Sequence, residues 1–457
     1  YLLEINGRYD GSSRFIGDKR WGFFPSFSAG WNVSRESFWR DLEHIVNNFK
    51  IRGSWGELGN CNTKAFYPFY QTMPTGVENS GWLINGKKPN TASAPGIVSA
   101  EMTWETVRSW NIGFDFGLLN NRLTGSFDYF VRNTLDMIGP APQLPATLGA
   151  TVPKINNADM KAWGFEVEVS WRDRIKDFNY GVKFVLSDDQ RKVTRYPNEE
   201  LNRNQWYAGR MDGLVWGYET VGIAKTDAEM EAHLASLPNG GQSQLGSKWA
   251  AGDIMYKDLN GDGKISSGDG TLNDLGDLKV VANTQLRFKY GLTVDASWKG
   301  FDFSAFFQGV GKRDVVVGGP YFWGANGQGM WQAAAFKDHI DYFRPEDTES
   351  VFGPNVNAYY PRVIFGGGSS EGGKNTLTQS RYVQNGAYIR LKNLQLGYTL
   401  PSIITKKFAV NSLRVYVSGD NLWTGTKMRV FDPEVLGSTS DAGKAYPLAR
   451  VWSVGLN

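Results

Sequence analysis

Residues Leu286 to Trp298 read LRFKYGLTVDASW, thirteen residues in which an apolar set and a polar or small set alternate without error. Leu286, Phe288, Tyr290, Leu292, Val294, Ala296 and Trp298 share one face of an extended chain, and Arg287, Lys289, Gly291, Thr293, Asp295 and Ser297 share the other, because successive strand side chains point to opposite sides. Such a strand is wet on one side only. At about 3.3 Å per residue it runs to roughly 40 Å, well beyond the five or six residues usual in globular sheets. A tilted strand that crosses a bilayer and projects beyond it has this length.

The pattern recurs along the chain. Trp110, Ile112, Phe114, Phe116 and Leu118 alternate with Asn111, Gly113, Asp115 and Gly117; Phe165, Val167, Val169 and Trp171 alternate with Glu166, Glu168 and Ser170. Phe301, Phe303, Ala305 and Phe307 form another such face, as do Leu413, Val415 and Val417, the opening Tyr1, Leu3, Ile5 and Tyr9, and the closing Trp452, Val454 and Leu456. Tight links (Leu118 to Arg122, Trp171 to Phe178, Trp298 to Phe301, Pro401 to Val410) take turns with long Gly, Asn and Ser-rich stretches at roughly 59–103, 133–162, 187–284, 312–386 and 424–447. Short turns on one side and long loops on the other are the plan of an up-and-down outer-membrane barrel. A soluble sandwich has no reason to segregate its loops by parity.

Aromatic residues make up 14% of the chain and glycines number 54, which suits aromatic girdles, bends and irregular loops. No run of about 18 apolar residues exists, so helical membrane spans are excluded. A formal charge of +3 over 457 residues gives no electrostatic footprint for nucleic acid. Cys61 is alone, so there is no internal disulfide and no cysteine-based zinc site. His44, His233 and His339 are scattered without metal-ligand spacing. Gly368, Ser370 and Gly372 match G-x-S-x-G, but a nucleophile elbow needs a strand before and a helix after it, and GGGSSEGGKNT reads as loop. No catalytic constellation stands out, and the chain reads as a non-enzyme.

One loop motif carries its own chemistry. DLNGDGKISSGD, residues 258–269, places oxygen ligands at Asp258, Asn260, Asp262, Ser266 and Asp269, with the Lys264 backbone carbonyl at position seven and Gly263 at the sharp turn. That spacing is the one used for Ca²⁺. The terminal Asp is shorter than the usual Glu, and no obvious helix pair flanks the loop. The expectation is a structural Ca²⁺, with a metal-free Asx-rich turn as its alternative; no organic cofactor is expected.

The residues now carry a resemblance. The chain resembles the SusC/RagA family of TonB-dependent outer-membrane transporters of Bacteroidetes in NGRYDGSSRF from Asn6, RWGFFPSFSAGW from Arg20, IRGSWGELGN from Ile51 and NIGFDFGLLNNRLTGSFDYF from Asn111. GDIMYKDLNGDGKI from Gly252, WKGFDFSAFFQGVG from Trp298, YIRLKNLQLGYTLP from Tyr388, and RVYVSGDNLW from Arg414 with DPE at Asp432 continue it in family order. The resemblance implies a 22-stranded transmembrane antiparallel barrel around an N-terminal plug. About thirteen or fourteen strands are countable, so residues 1–457 are expected to be the C-terminal part of such a barrel, without the plug, TonB box and early strands. Within it, 187–284 and 312–386 are expected to be long extracellular loops.

The implied function is active import of oligomeric nutrients, glycans first and oligopeptides as the alternative, with a SusD-like lipoprotein lid over the loops, TonB acting on the plug, and outer-membrane lipid around the wall. A passive porin or structural barrel and a soluble carbohydrate-active β-protein are the other readings. Ligand contact is sought among the loop aromatics Trp323, Trp331, Tyr342 and Tyr359, since flat rings suit sugar faces or peptide side chains. The same rings can equally pack a long loop onto itself. Arg287, Lys289, Asp295, Glu166 and Glu168 are expected on the lumen face. Ser34–Asn48 reads as a packed helical turn capped by Ser34, LSDDQ at Leu186 as loop, and KTDAEMEAHLASL from Lys225 as a short helix.

Overall fold

A computed structural model describes residues 1–457 apart from 64–65, 78–81, 93–94, 141–146, 148–151, 327–334, 365–370, 372 and 437–445. Twelve strands form one antiparallel sheet in strict chain order. They are β1 Leu2–Gly11, β2 Trp21–Asn32, β3 Val46–Asn60, β4 Glu105–Leu118, β5 Leu123–Ile138, β6 Asn156–Ile175, β7 Phe178–Arg195, β8 Arg287–Trp298, β9 Phe301–Lys312, β10 Tyr388–Thr399, β11 Arg414–Thr426 and β12 Val451–Leu456. The expected thirteen or fourteen strands thus compare with twelve in the wall, because pairs such as Leu214–Tyr218 with Leu278–Asn283 belong to small sheets inside the loops.

Register turns the alternation of each strand into a continuous surface. Phe49, Phe116, Gly125, Val169, Phe184, Leu292, Phe307, Leu391 and Trp423 lie in one cross-strand row. A neighbouring row runs Leu118, Leu123, Trp171, Val182, Val294, Ala305, Leu394, Gly419 and Trp452. Opposed residues of an antiparallel pair share a face, so the apolar stripes fuse into one sheet-wide face. No second layer covers it: Ile112, Phe114, Val182, Phe184, Phe303, Val417 and Val454 are all exposed. On the other face Ser170, Lys183 and Thr293 form one row and Arg172, Gly181, Asp295 and Ser304 the next.

The two rims differ as the loop parity predicts. One carries the tight turns at 119–122, 176–177 and 299–300 with the longer links 33–45 and 400–413; the other carries 61–104, 139–155, 196–286, 313–387 and 427–450, with the shorter 12–20. Several expectations are corrected here. The strand of the opening motif starts at Arg287, not Leu286, and Phe288 takes a left-handed φ of 55°, which breaks the flat alternation at its loop end. LSDDQ lies inside β7, held by pairing to β6 and β8 on its two sides, so the long loop begins after Arg195 and not at Ser187. The 312–386 loop likewise runs from 313 to 387, since Lys312 closes β9 and Tyr388 opens β10. Ser34–Asn48 forms two short 3-10 turns, Val33–Arg35 and Ser37–Trp39, without a Ser34 side-chain cap, and then enters β3. The helix expected from Lys225 is present as α1, Asp227–Ala235, where the Thr226 side chain caps the Glu229 N–H and Glu229 reaches back to accept from the Lys225 N–H, one residue before the N-cap.

Candidate functional site

The principal buried core lies in the loops of the long-loop rim, not in the wall. Tyr218, Ile254, Tyr256, Ile265, Phe322, Trp323, Phe343, Tyr360, Tyr382, Met428 and Leu436 belong to one apolar cluster drawn from the 196–286, 313–387 and 427–450 loops. Phe322 is its centre, with Tyr360, Tyr382 and Tyr359 rings edge-on at 5.5, 5.9 and 6.4 Å, the geometry favoured by aromatic quadrupoles. These loops therefore fold together as a cap.

Buried polar groups tie the loops together. Asp253, from the first, and Lys374, from the second, are both fully buried, with Nζ 2.9 Å from a carboxylate oxygen. Arg362 adds a two-point contact to the same carboxylate at 2.6 and 2.8 Å, and the Asn375 amide donates to it at 2.8 Å. The Lys374 ammonium also donates to the Ser247 and Lys248 carbonyls and lies 4.6 Å from the centre of the Trp249 ring. Burial still pulls the Lys374 pKa down against the pull of Asp253. Burial likewise pushes the Tyr256, Tyr360 and Tyr382 hydroxyls up from their ordinary range. None of these residues was singled out in the sequence, since Asp253 lies more than a hundred residues from Arg362, Lys374 and Asn375.

The loop aromatics have definite places. Trp323 is 7% exposed and packs on Tyr382 with ring centres 4.7 Å apart. Tyr359 is half-buried, its ring 4.2 Å from the Arg429 guanidinium and 4.8 Å from Tyr360. Tyr342 is half-buried under Arg344, at 4.7 Å, and shares with Trp323 the lining of a hollow of about 390 Å³ beside Phe336, His339 and Phe352. Trp331 and the Gly368, Ser370 and Gly372 match lie outside the described residues.

In the 258–269 loop the Asp258 carboxylate accepts the Gly261 and Gly263 N–H groups at 2.6 and 2.9 Å, and Asp262 accepts that of Lys264. Gly263 takes φ 78°, as the sharp turn requires. The Asp269 carboxylate instead caps the Thr271 N–H at 2.7 Å. Fully buried Asp277, beyond the motif, accepts from Leu259 and Ser266 at 2.7 Å each, and burial pushes its pKa up. Among the described residues no group of three or more His, Cys, Asp or Glu side chains converges in the manner of metal ligands.

Lumen-face charges are mostly paired. Arg52 joins Asp115 at 3.2 Å and Asp128 at 2.5 Å, Lys183 joins Glu168, and Lys289 joins Asp189 at 2.8 Å. Glu166 lies opposite Ser187 and Asp128 in register, and Asp295 opposite Gly181 and Ser304. Arg287 holds Asp188 at two points. At the loop end of the wall, Arg390 binds Asp432 at 2.6 Å and Lys392 binds Glu434 at 2.8 Å. The Asp432-Pro433-Glu434 strap is thereby fixed across the polar face of β9 and β10.

The known proteins that share this arrangement agree on its kind. Residues 1–422 match the family described as TonB dependent receptor-like, beta-barrel. TonB-dependent receptor P3 of Formosa agariphila is 28% identical over 481 residues, spanning 100% of this chain and 44% of that protein. TonB-dependent receptor SusC of Bacteroides thetaiotaomicron is 26% identical over 462 residues, spanning 100% and 42%. The chain thus spans less than half the length of these relatives. The RagAB peptide transporter structure superposes with a TM-score of 0.71 over 99% of this chain and 45% of that one, at 22% identity, which speaks for the fold. A single-layer wall with an uncovered apolar face, polar on its other side and capped on the long-loop rim, is a stretch of outer-membrane barrel, and the chain belongs to the TonB dependent receptor-like β-barrel family.

Proposed function

We propose that the chain supplies barrel wall and outer cap to an importer of oligomeric nutrients, with glycans as the first cargo class and oligopeptides as the alternative. The observation that carries this reading is the division between a polar-lined wall and a separately cored cap on one rim. A passive pore needs the first and not the second. In this reading a SusD-like lipoprotein closes over the cap, and TonB acts on a plug encoded in the part of the protein corresponding to what the longer relatives have beyond this match. The relative named SusC and the likeness in fold to the RagAB peptide transporter support import of this kind, with either cargo. The cargo crosses without a covalent bond being made or broken, so the chain acts as a transporter and not an enzyme. The uncovered apolar face leaves no place for a soluble carbohydrate-active protein.

In the same reading Asp258, Asn260, Asp262, the Lys264 carbonyl and Ser266 would hold a structural Ca²⁺. The spacing and the left-handed Gly263 support it, while Asp269 points its carboxylate elsewhere. The function is tested by uptake of labelled oligosaccharides and oligopeptides in cells with and without the full-length gene, each with and without a protonophore. Uptake that needs both gene and proton gradient is the expected result. Gene-dependent uptake that survives the protonophore would establish a passive pore instead.

A further inference from the structure

A chamber of about 620 Å³ lies on the polar face of the wall, beneath the strap that follows β11. Its size is that of a small-molecule site. Ser187, Lys289, Gln308, Arg313, Tyr388 and Glu434 are the polar residues among those that line it. The row Ser187, Lys289, Val310, Tyr388 belongs to the lumen face by register, and Glu434 comes from the strap.

The charges around the chamber cancel, with one exception. Lys289 is matched by Asp189, and Arg390 with Lys392 by Asp432 with Glu434. Arg313 has no such match among the described residues: its two Nη groups donate to the Pro433 and Leu436 carbonyls at 2.9 and 2.7 Å, and its Nε has no partner there. Burial pulls its pKa down, and among the described residues only Tyr388, not a carboxylate, opposes that pull. A partly buried guanidinium bonded only to neutral acceptors keeps an uncompensated charge. Beside it, Tyr388 is 6% exposed, and its hydroxyl has no hydrogen-bond partner among the described residues; the same holds for the Gln308 amide and the Ser187 hydroxyl. A cation held only by neutral carbonyls and three neutral hydrogen-bonding groups without partners among the described residues thus line one space.

We infer that this chamber is a subsite for a carboxylate-bearing unit of the cargo, with Arg313 supplying the charge and Tyr388, Gln308 and Ser187 the neutral contacts. A carboxylate is the group that both neutralises a guanidinium and accepts from a hydroxyl and an amide. A cationic unit is repelled, and a neutral one leaves the charge unmatched. The inference rests on the transport reading, which identifies the occupant as cargo, and it sharpens the cargo class.

The test is binding by the full-length protein in detergent at low salt, with trigalacturonate, maltotriose, and an acidic tripeptide beside its amidated form as probes. Trigalacturonate is expected to bind about ten-fold or more tightly than maltotriose, the return of one charge-assisted contact. Arg313→Gln lowers affinity for trigalacturonate much more than for maltotriose and so removes that preference, Arg313→Lys retains part of it, and Tyr388→Phe weakens the acidic probe several-fold. A preference for the acidic tripeptide over its amide, abolished by Arg313→Gln, assigns the carboxylate to a peptide and upholds the chamber. Equal affinity for acidic and neutral probes in the unaltered protein overturns the inference. So does an equal loss for all probes in Arg313→Gln, which would leave Arg313 only its hold on the strap. Selective binding without uptake of any probe by cells would sink the transport reading and leave the chamber standing.

Discussion

The wall and the cap solve opposite problems with the same chain. The wall leaves much of its own apolar face uncovered; Val182, Phe184, Phe303 and Val417 wait for lipid, and the backbone of β2 to β11 is paired to a strand on each side, as the bilayer demands. The cap buries Phe322, Ile254, Tyr256 and Ile265 completely and then places a charged trio, Asp253, Lys374 and Arg362, beside them. Stability in the wall comes from solvent outside the molecule. In the cap it comes from packing and from polar groups with no alternative partner. The lesson is that a membrane wall can be read as a repeating one-dimensional pattern, whereas its extramembrane cap behaves as a small globular domain spliced together from loops.

The sharpest way to break this comparison is to strike the cap's trio. Asp253→Ala leaves Lys374, Arg362 and Asn375 without their shared acceptor, and removing one partner of a buried ion pair costs about 3–5 kcal/mol. Limited proteolysis should then cut within the 196–286 and 313–387 loops while the barrel keeps its resistance to unfolding in SDS. Loss of that resistance would mean that cap and wall form one cooperative unit. The reciprocal blow is Leu292→Arg, in the middle of an apolar row; a cation on the lipid face near the midplane costs about 2–4 kcal/mol. It should lower the heat needed to unfold the barrel in SDS and spare the cap from protease. A depth-dependent quencher placed in the lipid should reach a probe at position 292, and burial of that position in protein would refute the assignment of faces.

Alkaline pH should separate the two regions without a mutation. Tyr256, Tyr360 and Tyr382 have folded pKa values raised above their ordinary 10.0 by burial. Their contribution to stability is therefore complete below pH 10 and is lost as the pH rises through the folded values. Tyrosinate absorbance should appear late and together with cap opening, with strand content of the wall retained. Early ionisation in a closed cap would contradict the packing. The smallest effect concerns the 258–269 loop: Asp258→Ala with Asp262→Ala should lower bound calcium measured by mass spectrometry of the purified full-length protein, with little change in the wall. Unchanged metal content would remove calcium and leave a hydrogen-bonded turn closed by Asp258 and Asp277.

Much of the wall was legible because its signal is local. Period-two alternation in WNIGFDFGL and FEVEVSW states which side chains share a face before any partner strand is known, and the parity of loop lengths states which rim is which. The Ile254–Tyr256 strand of the cap and its buried Gln242 give no comparable pattern. LSDDQ was misread as loop because polar residues with two negative charges look like a turn, while in β7 strand partners on both sides keep it extended and Arg287 matches Asp188. The Ser34–Asn48 segment reads as one packed helical turn, and in the structure it is divided into two 3-10 turns, Val33–Arg35 and Ser37–Trp39, followed by further turn bonds up to Ile45 before β3 begins. Tyr342, Trp323 and Tyr359 could be named as a set; which of them line a hollow and which are sandwiched depends on neighbours brought from other loops.

By itself the sequence determined the class of the fold, the two faces of the wall and the parting of short and long links to opposite rims, since each follows from side-chain periodicity and loop length along a single strand pair. Only the tertiary structure decided where the core lies, which charges are spent on one another, and that Arg313 is left with none to match it among the described residues. The physical reason is distance along the chain. Asp253 meets Lys374, and Arg390 meets Asp432, only after long loops have closed, and no local pattern records a contact whose partners are chosen by that closure.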